Sequence, residues 1–260
     1  MLSNHAGIRL AGESTPGLVR KQNEDAFVCL VPPGGRAALA VVADGIGGHV
    51  NGGTASLICC RDLVRAFERR GTGFPGGAAE AEAFLEETVL AVNEKLFRRN
   101  RIECQARPMG STVAAAIFTP EELVTVHAGD SRVYEWNAAT GIRQLTSDHS
   151  CRAEDLRDYG IPAGADSRIA AHVITRAVGP CRNLELELHR FPRSAGSRYL
   201  LCSDGVSREL SDDRLAEVLA GAETPRRAVD QIMRAVLLAG GRDNATVVVG
   251  FPELQAEAAG

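Results

Sequence analysis

The sequence predicts an α+β layered sandwich, in which antiparallel sheets are covered by helices. Three observations lead there. Short segments rich in Val, Ile, Leu and Ala recur along the whole chain. Amphipathic helical periodicity appears in only a few stretches. The order is strands, two long helices, a run of strands, then mixed elements with two late helices. That order departs from the regular βαβα alternation of a parallel doubly wound sheet.

The first predicted strands are Ala26 to Val31 and Ala37 to Ala43, separated by the loop-sized patch Pro32 to Gly35. Leu57, Cys60, Val64 and Phe67 share one helical face, as do Phe84, Leu85, Val89, Val92 and Leu96. A Gly/Pro-rich patch from Gly71 to Gly77 separates these two helices. Strands follow at Ser111 to Phe118, Leu123 to His127 and Val133 to Trp136, and later at Tyr199 to Cys202. From Leu184 to Phe191, Leu184, Leu186 and Leu188 alternate with Glu185, Glu187 and His189, the pattern of a half-buried strand. Val229, Ile232, Met233, Val236 and Leu237 form a late helix that ends at Gly240-Gly241. The last strand is Ala245 to Phe251. No repeat, low-complexity tract or linker divides the chain, so residues 1–252 are expected to form one domain, followed by a frayed tail over 253–260.

Composition narrows the function classes. The 260 residues carry 33 Asp+Glu against 29 Lys+Arg, a net charge of −4, and 45% are hydrophobic. That balance excludes a disordered or fibrous chain and gives no basic footprint for nucleic acid or an anionic membrane. The longest apolar stretches, Ala37 to Ala43 and Val113 to Phe118, fall far short of the roughly 20 residues of a membrane span. The first residues, MLSNHAGIRL, lack the basic start and apolar core of a signal peptide, so a cytoplasmic protein is expected. Seven cysteines, with no C-x-x-C pair, suggest neither a disulfide framework nor a zinc site. The six histidines are scattered and read as structural, and the charged patch Arg98-Arg99-Asn100-Arg101 reads as the solvated end of a helix.

The informative pattern is where acids follow apolar strands. Asp44 ends Ala38 to Ala43 and precedes Gly45; Asp204 ends Tyr199 to Ser203 and precedes Gly205. Asp130 follows Val124 to Gly129, Asp243-Asn244 opens the last strand, and Glu24-Asp25 opens an early one. A carboxylate at a strand end, beside a glycine that lets backbone approach closely, suits a hard-cation site. Without a His or Cys ligand cluster, the donors are oxygen only, which points to Mg²⁺ or Mn²⁺. Two such ions roughly 4 Å apart can activate a water and stabilise an in-line phosphoryl displacement. The phosphate oxygens then need a planar cation, and Arg20, four residues before Glu24, is the natural candidate.

The segments VRKQNEDAF, VVADGIGGHVNGGTAS, GSTVAAAIF, HAGDSRVYEW, LTSDHS, ITRAVG, LLCSDGVSREL and RDNATVVV carry a resemblance. Their order and spacing are similar to those of the metal-dependent Ser/Thr protein phosphatases, the PPM or phosphatase 2C family, from about Gly17 to Val249. The resemblance implies a four-layer αββα sandwich with the metal site at the sheet edge. It implies hydrolysis of phosphoserine and phosphothreonine in proteins by a metal-activated water, without a covalent phosphoenzyme, in opposition to a Ser/Thr kinase. Asp44 would bridge both ions, the Gly45 carbonyl would bind the second, and Asp204 and Asp243 would hold the first. Glu24 and Asp25 would act through water, beside Asn244, and Arg20 would receive the substrate phosphate. Asp130 would hold a third, weaker ion together with Asp204. Residues 147–174 resemble the flap beside the cleft, with a short helix expected around Ala153 to Tyr159. Phosphoprotein substrates are the expected partners, and a monomer is the expected state.

Two positions depart from the family pattern. Ile46 stands where some relatives place a histidine proposed as general acid, and nothing supports transfer of that role to His49. Gly52-Gly53 stands where bacterial relatives often have Gly-Glu. Among rivals, a cysteine phosphatase is suggested by Cys59 and Cys202, each six residues before an arginine (Arg65, Arg208). It fails because Cys59 lies in a helical pattern and Cys202 in a strand, whereas a reactive thiolate needs a Gly-rich phosphate loop. The dinucleotide-binding reading of Gly45 to Val50 fails at its sixth position, which is Val50. The non-enzymatic alternative, a catalytically weak phosphoprotein-binding or sensor module, is disfavoured because an acid fills each expected metal position.

Overall fold

The computed structural model describes residues 6–46, 50–103, 108–151 and 173–253. Ten strands build two five-stranded antiparallel sheets. The first runs β1(Ile8–Thr15), β12(Ala245–Pro252), β11(Arg198–Cys202), β8(Arg132–Asn137) and β9(Gly141–Gln144). The second runs β10(Glu187–Pro192), β7(Glu122–Ala128), β6(Val113–Phe118), β3(Ala38–Ala43) and β2(Ala26–Leu30). A small ribbon pairs β4(Gly45–Ile46) with β5(Gly110–Ser111). The two long helices are α1(Val50–Glu68) and α2(Ala78–Glu103). Later come one turn, α3(Asp204–Ser207), and the helices α4(Asp212–Gly221) and α5(Pro225–Ala239).

Alternation within single strands sorts the apolar residues into layers. In β3, Leu39, Val41 and Ala43 pack with Leu63, Phe84, Leu85 and Leu96 of α1 and α2. The intervening Ala38, Ala40 and Val42 face Phe118, Tyr199, Leu201 and Val248 in the layer between the sheets. On the far side, Leu200, Cys202, Val247 and Val249 pack with Leu215, Val229, Ile232 and Val236 of α4 and α5. The result is the expected four-layer αββα sandwich. Small residues in β3 and β6 keep the sheets close, and the Phe118 and Tyr199 rings meet edge to face at 5.3 Å.

Several boundaries differ from the sequence reading, for local reasons. The segment Ser111 to Phe118 is broken at Thr112, because Ser111 pairs with Gly45 in the ribbon while Val113 starts β6. The strand expected from Leu184 begins only at Glu187, opposite His127, although Leu184 and Leu186 still pack on the core. Pro252 belongs to β12, and Glu253, the first residue of the expected tail, donates its N–H to Gly7 O. Asn100 is not solvated. It is buried and exchanges hydrogen bonds with the Met109 backbone while donating to Gly179 O, whereas Arg98 and Arg99 pair with Glu94 and Glu103. No described helix is long and apolar enough to cross a membrane.

Candidate active site

Register places the acids together. Ala43 at the end of β3 pairs with Ala26 at the start of β2, so Asp44 and Asp25 share one rim of the second sheet. Val113 pairs with Ala128 at the end of β7, which brings Asp130 to the same rim. In the first sheet Cys202, at the end of β11, pairs with Val247 of β12 and with Arg132 at the start of β8. Asp204 and Asp243 therefore leave neighbouring strands side by side. Two hydroxyls stitch the rims together: Ser203 Oγ and Thr246 Oγ1 donate to Asp25 Oδ2 at 2.8 and 2.7 Å.

Around this seam each candidate has a defined seat. The Asp44 backbone is fixed by Thr112, whose Oγ1 accepts from Asp44 N at 2.9 Å and whose N–H donates to Asp44 O at 2.8 Å. A Cβ on Gly45 would overlap the Gly52 backbone and lie 2.7 Å from Glu24 O, so only glycine lets the β3 end, the α1 start and the segment leading into β2 meet. Gly205 is under the same constraint, pressed against the Asn244 carbonyl. Asn244 Oδ1 accepts from Glu24 N at 2.8 Å, and its Nδ2 donates to Gln22 O and Pro16 O. Arg20 lies on the open side, 55% exposed, with Nη2 2.8 Å from Asp243 Oδ2. Asp130, 4% exposed, and Asp204 share one guanidinium nitrogen, Arg208 Nη2, at 3.1 and 2.7 Å. Ile46 is half-buried in β4, while His49 and the expected flap helix from Ala153 to Tyr159 lie outside the described residues.

The electrostatics are those of a cation site. Burial, then the charges of Asp25, Asp204, Asp130 and Asp243, push the Asp44 carboxyl well above the ordinary carboxylate range. Burial likewise pushes Asp130 up to about 7, with Asp204 adding to the rise and Arg208 opposing it, and pushes Asp25 up to about 6. Asp25 Oδ1 and Asp130 Oδ1 are buried and accept no hydrogen bond from the described residues. Clustered buried carboxylates with unused lone pairs fit hard divalent ions, whose charge would reverse these shifts. Oxygen donors of this kind suit Mn²⁺ or Mg²⁺, and Asp44, the Gly45 carbonyl, Asp204 and Asp243 are the groups that could hold such ions.

Long-range partners escaped the sequence reading. Ser203 and Thr246 are remote in sequence from Asp25, and Thr112 from Asp44, the acids they hold. Arg208 carried one usable signal, its i,i+4 spacing from Asp204. The scattered histidines also conceal a cluster: His127, His149 and Glu187 bring their ligand atoms within 4.8 Å of one another. Its ring atoms are already engaged: His149 Nδ1 accepts from Gly129 N–H, and Nε2 lies 3.2 Å from Glu187 Oε2 and 3.3 Å from Arg176 Nη1, so a guanidinium already stands where a cation would bind. The thiols are equally quiet, since burial pushes both Cys59 and Cys202 up to about 12.

Comparison with known proteins supplies the wider context. The sequence profile of the family described as protein phosphatase 2C matches residues 19–239. The chain is 35% identical over 244 residues to the serine/threonine protein phosphatase PstP of Mycobacterium tuberculosis, covering 93% of this chain and 44% of that protein. It thus spans under half the length of that relative. It is 32% identical over 212 residues to the serine/threonine phosphatase stp of Listeria monocytogenes, covering 81% and 83% of the two chains. The fold is similar to the crystal structure of the PstP catalytic domain in complex with two manganese ions. The TM-score is 0.76 at 33% identity, over 94% of this chain and 97% of that one.

Proposed function

The chain belongs to the protein phosphatase 2C family, and from that premise we propose that it is a Mn²⁺- or Mg²⁺-dependent phosphatase of phosphoserine and phosphothreonine in proteins. The observation that carries this reading is the convergence of Glu24, Asp25, Asp44, Asp130, Asp204 and Asp243 with Arg20 at one rim of the sandwich. Divalent ions bound there would supply an activated nucleophile and neutralise the phosphate.

The chain's own residues have separate tasks. Asp44, Asp204, Asp243 and the Gly45 carbonyl hold the ions. Asp25, pinned by Ser203 and Thr246, sets the distance between the two sheet rims and so the spacing of the ligands they carry. Asn244 ties Glu24 to the start of β12. Arg20 is exposed enough to leave Asp243 and fork onto the phosphate oxygens. Ile46 offers no proton, so the side chain at that position takes no part in leaving-group protonation. Residues 1–252 act as one catalytic domain, with 147–174 as the flap. We place the protein in the cytoplasm as a monomer that opposes a Ser/Thr kinase.

The test is hydrolysis of an aryl phosphate and a phosphothreonine peptide with Mn²⁺ and with EDTA. Asp44→Asn and Asp243→Asn should each lower turnover by at least about a hundredfold, as expected when charge stabilisation at the reacting centre is lost. Full activity in either variant, or activity in EDTA, rejects the site.

A further inference from the structure

The side chain of Arg208 lies where the sequence reading places a third divalent ion. Asp204 opens the single turn α3, and Arg208 caps it with its N–H on Asp204 O at 2.8 Å. That turn folds the side chain back over the carboxylate four residues earlier. Nη2 then meets Asp204 Oδ2 at 2.7 Å and Asp130 Oδ2 at 3.1 Å. The two acids come from different sheets, Asp130 after β7 and Asp204 after β11, and one nitrogen bridges them. Both are largely buried, so their repulsion is poorly screened and a cation between them is strongly favoured. A divalent ion ligated by the same pair would sit within a few ångströms of the guanidinium, and the like charges would oppose it. The donor pair alone fits an ion, but the pair with Arg208 does not.

We propose that Arg208 is the chain's own cation in this seat, limiting the centre to two divalent ions and fixing the orientation of Asp204 toward them. This rests on the reading of Asp44, Asp204 and Asp243 as holders of those two ions. It replaces the expectation that Asp130 ligates a third. A salt bridge that merely braced the fold would leave ion stoichiometry unchanged on removal, whereas a stand-in cation would open a site.

The experiment counts Mn²⁺ bound to the chelator-stripped full chain, by titration calorimetry and by the electron paramagnetic resonance signal of free Mn²⁺. Wild type should bind two ions. Arg208→Met and Arg208→Gln, checked for folding by circular dichroism, should bind a third, weaker ion, and Arg208→Met with Asp130→Asn should return to two. Three ions in wild type overturn the proposal, as do two in a folded Arg208 variant. No binding in wild type would instead overturn the underlying metal reading. The wild-type count needs no variant to fold.

Discussion

At the residue scale, environment decides which groups can react. Cys59 and Cys202 are buried among apolar neighbours, and a thiol held near pKa 12 supplies almost no thiolate at neutral pH. Cys59→Ser and Cys202→Ser should therefore keep their turnover of an aryl phosphate; a folded variant that lost it would revive a cysteine mechanism. His149 gives a pH signature outside the acid cluster. Burial, aided by His127 and Arg176 and opposed by Glu187, lowers it to about 4. In the unfolded chain an imidazole takes up its proton near about 6.5. Between about 6.5 and about 4 the unfolded state thus binds more protons, and stability falls as pH drops. Above that window both states hold the ring neutral and the contribution is constant. Melting temperatures of the EDTA-treated protein from pH 7 to pH 4 should fall less steeply for His149→Asn than for wild type.

At the element scale, α2 does more than cover a sheet. Asn93 donates to Cys181 O and Arg182 O and accepts from Gly179 N–H, and Asn100, two turns further along, holds Met109 and Gly179. The helix thereby anchors the chain on its return to the core ahead of β10. Asn100→Ala would leave the Met109 N–H and two carbonyls buried without these partners. Such losses cost about 1–3 kcal/mol, which urea denaturation would register as a lower midpoint. Neither asparagine was visible as structural in the sequence, where Asn100 reads as part of a charged, solvated stretch. Strands were similarly uneven. β3 and β6 announce themselves as apolar runs, whereas β1, IRLAGEST, and β9, GIRQ, carry weak signals and became strands by pairing with β12 and β8. Strand preference reflects the neighbour as much as the residue.

At the scale of the whole molecule, two antiparallel sheets turn scattered acids into one centre. Because that centre joins the rims of both sheets, ions bound there would couple to folding. A ligand that binds only the folded state at a hundred times its Kd adds about 2.7 kcal/mol per site. Saturating Mn²⁺ should accordingly raise the melting temperature of the wild-type protein, EDTA should reverse the rise, and Asp44→Asn should remove most of it. An equal shift in Asp44→Asn would place the stabilising ion elsewhere.

The sequence by itself determined the element types of the core, the layered class, and which acids stand at strand ends. Each of these is written in short-range order: alternation in β3, helical spacing in α1 and α2, an Asp-Gly after an apolar run. Only the tertiary structure decided what those acids touch. The Ser203 and Thr246 hydroxyls on Asp25, the Gly52 backbone against Gly45, the Arg208 bridge between Asp130 and Asp204, and the His127–His149–Glu187 cluster mostly join residues far apart in the chain. Antiparallel register and the packing of sheet on sheet fix these neighbours, and burial then sets their charge. Local spacing can nominate a ligand, but the field around it belongs to the fold.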